Sequence, residues 1–269
     1  MFIKKQNGLS LIELLIGLLV GAIVVAGAVN IFTGSIQSSA DNIKLTRLNQ
    51  DLRAVMDIMV RDIRRAGFVT NNPAQFGQSL RNNPFFSIDD DTDISVLDYD
   101  SGSDNCILYS YNRDPTLHYD YDEAPPAPLD PIVPQTNDLL GFRLRLTGIN
   151  AGVLQMRRSG LTTTDCSDGS WEGLTDRRDI EITNLTFAID EQALNASVMS
   201  TRLKDGDPTT DLCSPGDATC TTCNTGDACV FVRWVDISLT GRLRDDPVVT
   251  QTLNQRIRIR NDKFMASFP

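Results

Sequence analysis

The chain has 269 residues and a formal net charge of −10, with 22% charged and 41% hydrophobic residues. That length suffices to bury a sizeable core in one large domain or two small ones. The acidic balance comes mainly from aspartates after Phe68 and is relieved by no basic stripe, which argues against nucleic acid as the principal partner.

Lys4 and Lys5 precede Gly8, and an apolar run then extends from Leu9 to Phe32 with one carboxylate in it, Glu13. The positive-inside rule keeps residues 1–8 cytoplasmic and sends the body across the membrane. Such a leader has no room for an apolar region of its own, unlike a secretory signal peptide, so the run is expected to persist as an anchor. It is long enough for a bilayer core of about 30 Å, which needs about 20 residues. A charged group inside such a helix costs about 2.5–3.5 kcal/mol on insertion scales, which makes Glu13 a functional candidate. The competing reading is an interfacial glutamate snorkelling out of an ordinary signal anchor.

Beyond the run, Ile36, Ile43, Leu45, Leu48, Leu52, Val55, Met59 and Ile63 recur mostly at three- or four-residue steps, the mark of an amphipathic helix. Asp51, Arg53, Asp57, Arg61, Asp62, Arg64 and Arg65 fill the other face, with Asp57 and Arg61 placed as an i,i+4 pair. Gly67 supplies a C-terminal stop. One helix from about Ser10 to Ala66 would be roughly 85 Å long at 1.5 Å per residue. The alternative is an anchor joined to a short coiled coil. Gly17 and Gly21 form a GxxxG spacing of low specificity.

The character then changes. Asn71-Asn72-Pro73 and Asn82-Asn83-Pro84 are turn signals, residues 89–104 read as an acidic loop, and Pro115 to Pro134 reads as a proline-rich surface loop. Strands are expected at Cys106–Tyr111, Phe142–Thr147, Ile180–Ile189, Val230–Leu243 and Thr252–Arg260. The last contains Gln255-Arg256-Ile257-Arg258-Ile259-Arg260, a period of two that calls for one buried face. The expected fold is α+β: a long N-terminal helix, membrane-spanning in its first half, packed on an antiparallel sheet with long disulfide-stapled loops. The expected division is a leader at 1–8, a spine helix at 9–67 and a β-rich periplasmic domain at 68–269.

Six cysteines, Cys106, Cys166, Cys213, Cys220, Cys223 and Cys229, all lie in the exported part, where an even set reads as disulfides. Spacing leaves the connectivity open; the pairing we favour joins Cys106 to Cys166 and closes the other four locally.

Gly8-Leu9-Ser10-Leu11-Ile12-Glu13 and the apolar run behind it resemble the type IV prepilin signature. The resemblance implies cleavage after Gly8 by a dedicated membrane peptidase and N-methylation of the new terminus, Leu9. It also implies a role for Glu13, five residues past the cut, in pairing with the free amine of a neighbouring subunit. The chemistry fits, since opposite charges in a low-dielectric bundle compensate each other and either alone is penalised. Leu9 stands where the family often has Phe. The run lacks the proline that many major pilins carry, and Asn30 stands near its end, which points towards a minor subunit.

Arg47-Leu48-Asn49-Gln50-Asp51-Leu52-Arg53-Ala54 and Arg61-Asp62-Ile63-Arg64-Arg65-Ala66-Gly67-Phe68 look like the helix ending of PilW-type minor pilins. Cys106-Ile107 at a strand start and Arg258-Ile259-Arg260-Asn261 are also similar to that group. The implied protein is a single-pass inner-membrane subunit, N-terminus cytoplasmic and body periplasmic, that primes a type IV pilus and enters it. Its implied partners are other minor pilins, the major pilin, the prepilin peptidase and the inner-membrane assembly platform. A type II secretion pseudopilin is the nearest alternative.

Other motifs are weighed against plainer roles. Cys220-Thr221-Thr222-Cys223 has redox or half-zinc spacing, but its flanks are turn-like and acidic, which would raise a thiol pKa, and no second close pair completes a zinc site. A structural disulfide loop suits the compartment better; a tethered thiol–disulfide enzyme is the competitor of a different class. Asp98, Asp100 and Asp104 place oxygens at alternating positions, as calcium loops do, though without a bidentate acid at the far end. His118, the single histidine, sits in a Tyr-Asp-rich loop with Tyr119 and Tyr121, and no nucleophile elbow or phosphate cradle accompanies it. No catalytic residue and no cofactor are expected, with calcium the one candidate ion.

Overall fold

A computed structural model describes residues 10–69, 83–87, 91–113, 133–195 and 229–265. The chain divides into two compact units, Met1–Arg47 and Leu48–Pro269. A single helix, α1 (Leu11–Ile63), supplies the described part of the first unit and enters the second. In the first unit its side chains are exposed or, at Lys44, half-exposed, including Ile43 and Leu45, which the spacing had assigned to a buried stripe. The buried stripe starts instead at Leu48 and continues through Leu52, Val55, Met56, Met59, Val60 and Ile63. Asp57 and Arg61 form no ion pair among the described residues, although their spacing permits one.

Among the described residues of the second unit, nine strands form two antiparallel sheets rather than one. The first is a meander of β1 (Ser95–Tyr99), β2 (Gly102–Ser110), β3 (Leu139–Arg145), β4 (Val153–Ser159) and β5 (Ser170–Gly173). The second orders β6 (Ile180–Asn195), β7 (Cys229–Leu243) and β8 (Thr250–Arg258), and β9 (Lys263–Met265) pairs with β7. The buried face of α1 shares one core with both sheets, through residues such as Ile107, Phe142 and Leu144 from the first and Ile182, Phe187, Val235, Ile237 and Leu239 from the second. Alternation shows why: the odd-numbered positions of β7 from Cys229 to Leu243 are all buried, and its even positions are mostly half-exposed. Ile257 and Ile259 are buried between exposed arginines, as the period of two requires.

Two glycines allow close approach. Gly67 ends the helix turn in a left-handed conformation (φ +73°), and a Cβ there would lie 1.7 Å from the Phe86 ring. Gly241 of β7 faces α1, where a Cβ would meet Leu52 at 2.8 Å. The helix end is tied down by Gly67 N–H to the Ser110 carbonyl (2.8 Å) and by the Asn261 amide, which donates to the Ala66 carbonyl (3.0 Å).

The acidic stretch 89–104 holds β1 and the start of β2 where a loop was expected. Tyr99 pairs with Gly102, so Asp100 and Ser101 form a two-residue hairpin turn, both with positive φ (52° and 68°) as a type I′ turn demands. β4 and β5 were also unexpected, because Arg157 and Arg158 interrupt the apolar pattern of the one and the other is only four residues long. Most of the proline-rich stretch lies outside the described residues.

Candidate functional site

Gly8 and Leu9 lie outside the described residues; the structure takes up the motif at Ser10. The Ser10 carbonyl accepts from Glu13 N–H (3.0 Å) and Leu14 N–H (3.2 Å), opening α1 with Glu13 in its first turn, where the helix dipole favours an anion. Leu11, Ile12, Leu14 and Leu15 surround this carboxylate and are themselves more than half exposed. The helix contains an 18-residue window of mean hydropathy 2.6 with none of it buried, long and apolar enough to cross a membrane. Between Glu13 and Asp41 no charged residue occurs. Gly17, Gly21, Gly27 and Gly34 meet nothing within 4 Å of a would-be Cβ, so close approach by another helix is sterically open there. The few polar side chains satisfy themselves along the helix: Thr33 donates to the Val29 carbonyl (3.0 Å) and Ser39 to the Ser35 carbonyl (2.9 Å). The arrangement offers an apolar rod with one carboxylate near its start and, among the described residues, no ion-pair partner for that carboxylate.

The body fixes the end of that helix by polar contacts that the sequence did not reveal. Asp62 accepts from both Tyr109 Oη (2.7 Å) of β2 and Tyr111 Oη (2.6 Å) just past its end. Burial first, then the Asp62 charge, raises the Tyr109 hydroxyl well above its ordinary range and pushes Tyr111 up to about 12, so both remain donors. The signal was present but short: residues 109 and 111 share one strand face, and Asp62 precedes a buried Ile63.

A second tie joins the segment before β1 to the other sheet. Asp93 receives Arg233 Nη1 (2.6 Å) and Lys263 Nζ (2.5 Å), while the Arg233 guanidinium lies 4.0 Å from the Phe86 ring centroid. No sequence pattern relates residues so far apart.

On the other face of the first sheet, Cys106 and Cys166 form a disulfide spanning 60 residues. Beside it, Arg143 is stacked between Tyr99 (4.3 Å) and Trp171 (4.0 Å), and Arg157 pairs with Asp168. Burial lowers the pKa of both arginines. Cys229 is also disulfide-bonded. Cys213, Cys220, Cys223, His118, Tyr119 and Tyr121 lie outside the described residues.

The calcium candidates have other occupations. Asp98 accepts from Asp104 N–H (2.8 Å), and Asp100 accepts from Leu146 N–H (2.8 Å), Thr147 N–H (2.7 Å) and the Thr147 hydroxyl. These bonds hold the Asp100 carboxyl below its ordinary pKa, the hydroxyl contributing most. Among the described residues no three acidic, histidine or cysteine side chains converge as a metal site would require. The aspartates shape the hairpin turn.

Comparison with known families gives two matches. Residues 3–29 match the prokaryotic N-terminal methylation motif, and residues 41–259 match the family described as prepilin peptidase-dependent protein B. Neither the curated proteins nor the solved structures gave a match. The methylation motif covers the carboxylate-bearing rod and the second match covers most of the body, so the chain is a type IV pilin-like protein and belongs to the prepilin peptidase-dependent protein B family.

Proposed function

We propose that this protein is a minor pilin that primes type IV pilus assembly with other minor pilins. The peptidase cuts after Gly8, Leu9 becomes the methylated terminus, and the body faces the periplasm. Assembly then draws the Leu9–Phe32 helix out of the inner membrane into a helix bundle. There Glu13 pairs with a neighbour's terminal amine, which offsets the cost of carrying that carboxylate in apolar surroundings. The supporting observation is the exposed apolar run of α1 with the Glu13 carboxylate at its start. Acting by assembly needs no catalytic residue, and the proposal assigns none.

The experiment compares sheared surface pili and secreted enzymes in a deletion strain complemented with wild type or Glu13→Ala. Loss of pili with intact secretion, restored by wild type alone, is the expected result. Intact pili with blocked secretion would assign the chain to type II secretion as a pseudopilin. Normal assembly with Glu13→Ala would contradict the pairing role.

A further inference from the structure

The end of α1 and the end of β8 meet around a hollow of about 310 Å³ lined by Arg64, Arg258, Ile259 and Arg260. Arg260 N–H donates to the Arg64 carbonyl (3.2 Å), which brings the two residues together at the hollow although 196 residues separate them. Arg258 is engaged by Asp262 at 3.1 Å. Arg64 and Arg260 are exposed and have no acidic partner among the described residues, and neither has Arg61, three residues back on the helix. A helix C-terminus attracts cations, which accounts for Arg61 and Arg64. It does not account for Arg260, which a strand from the far end of the sequence delivers to the same place.

We infer that this hollow receives carboxylates from the surface of a neighbouring protein subunit, a reading that rests on the assembly function proposed above. Two arginines lining one hollow suit one or two carboxylates, which a guanidinium fork holds bidentately. The patch is a local positive spot on a chain of net charge −10. Long polyanions such as nucleic acid, and anionic membrane surfaces, are recognised through extended positive fields, which this body opposes. A compact protein carboxylate samples only the local field, so charge complementarity favours it.

The test uses the full chain purified in neutral detergent, with a fluorescently labelled hexaglutamate peptide as the probe and binding read by anisotropy at low salt. Saturable binding is expected, weakened roughly tenfold or more when Arg64→Glu and Arg260→Glu are combined. The milder Arg64→Gln and Arg260→Gln pair should weaken it in the same direction, while Arg178→Glu, a reversal at an exposed turn, should leave it unchanged. The inference is overturned by absence of saturable binding, by variants that bind as wild type, or by stronger arginine-dependent binding to phosphatidylglycerol vesicles or a single-stranded oligonucleotide. The two readings fail separately: normal pili with Glu13→Ala removes the assembly reading, whereas wild-type peptide binding by the arginine variants removes only the hollow.

Discussion

The two parts of α1 are built from one continuous helix yet obey different rules. From Ser10 to Arg47 no side chain is buried, whereas from Leu48 to Ile63 seven residues enter the core. The second part is completed by its own chain through two sheets, Asp62 and its tyrosines. From Leu14 to Phe32 the first part presents apolar surface all round, which water disfavours, and the Glu13 carboxylate just before that run would be disfavoured in lipid. A segment that neither solvent suits alone is what the proposed assembly role requires, and the contrast between the halves gives that proposal its tests.

The sharpest way to break this contrast is at Glu13. Its replacement by alanine is expected to abolish incorporation into sheared filaments while leaving the thermal unfolding of the body unchanged. An unfolding shift would show that the first half contributes to the body after all.

Within the body, the Cys106–Cys166 bridge closes a long loop, and chain entropy assigns it about 4 kcal/mol. Cys106→Ala combined with Cys166→Ala should lower denaturant stability by that order. A negligible change would mean that the Arg143–Trp171 stack holds the loop unaided.

Matched leucines sharpen the comparison directly. Leu52→Ala, at a site with no exposed surface, is expected to cost about 2–5 kcal/mol, whereas Leu18→Ala, two-thirds exposed, should leave the unfolding midpoint in place. Equal effects from the two would erase the proposed boundary.

The Asp62 contacts are a smaller test. Asp62→Asn weakens two charge-assisted hydrogen bonds and should cost about 1–3 kcal/mol. The tyrosines also make a pH prediction. A hydroxyl whose pKa is raised by folding contributes stability that is complete below its ordinary value of 10.0 and is lost as pH climbs through about 12, the value for Tyr111. Wild type should therefore lose stability over that window more steeply than Tyr111→Phe, as measured by chemical denaturation at successive pH values.

Patterns confined to a few turns or a few strand residues were legible without the fold. Glu13 in its apolar run, the stop at Gly67 and the alternation around Ile257 all follow from periodicity and composition over short windows. Where a local pattern misled, a neighbour in space was responsible. Ile43 and Leu45 keep the helical spacing of the core, yet both are exposed and the buried stripe starts only at Leu48. The aspartates of 89–104 look like solvated loop until Asp98 is seen accepting from Asp104 N–H of β2 and Asp100 from the amides of the β3–β4 connection.

The amino-acid order alone therefore determined the anchor, the carboxylate within it, the helix and the faces of the long strands, because each depends on residues within one or two turns of one another. Only the tertiary structure decided that the strands form two sheets, that Asp62 meets Tyr109 and Tyr111 across 47 and 49 residues, and that Asp93 meets Arg233 across 140. Those contacts depend on burial and charge pairing between distant segments, and such pairing leaves no periodic trace in either segment.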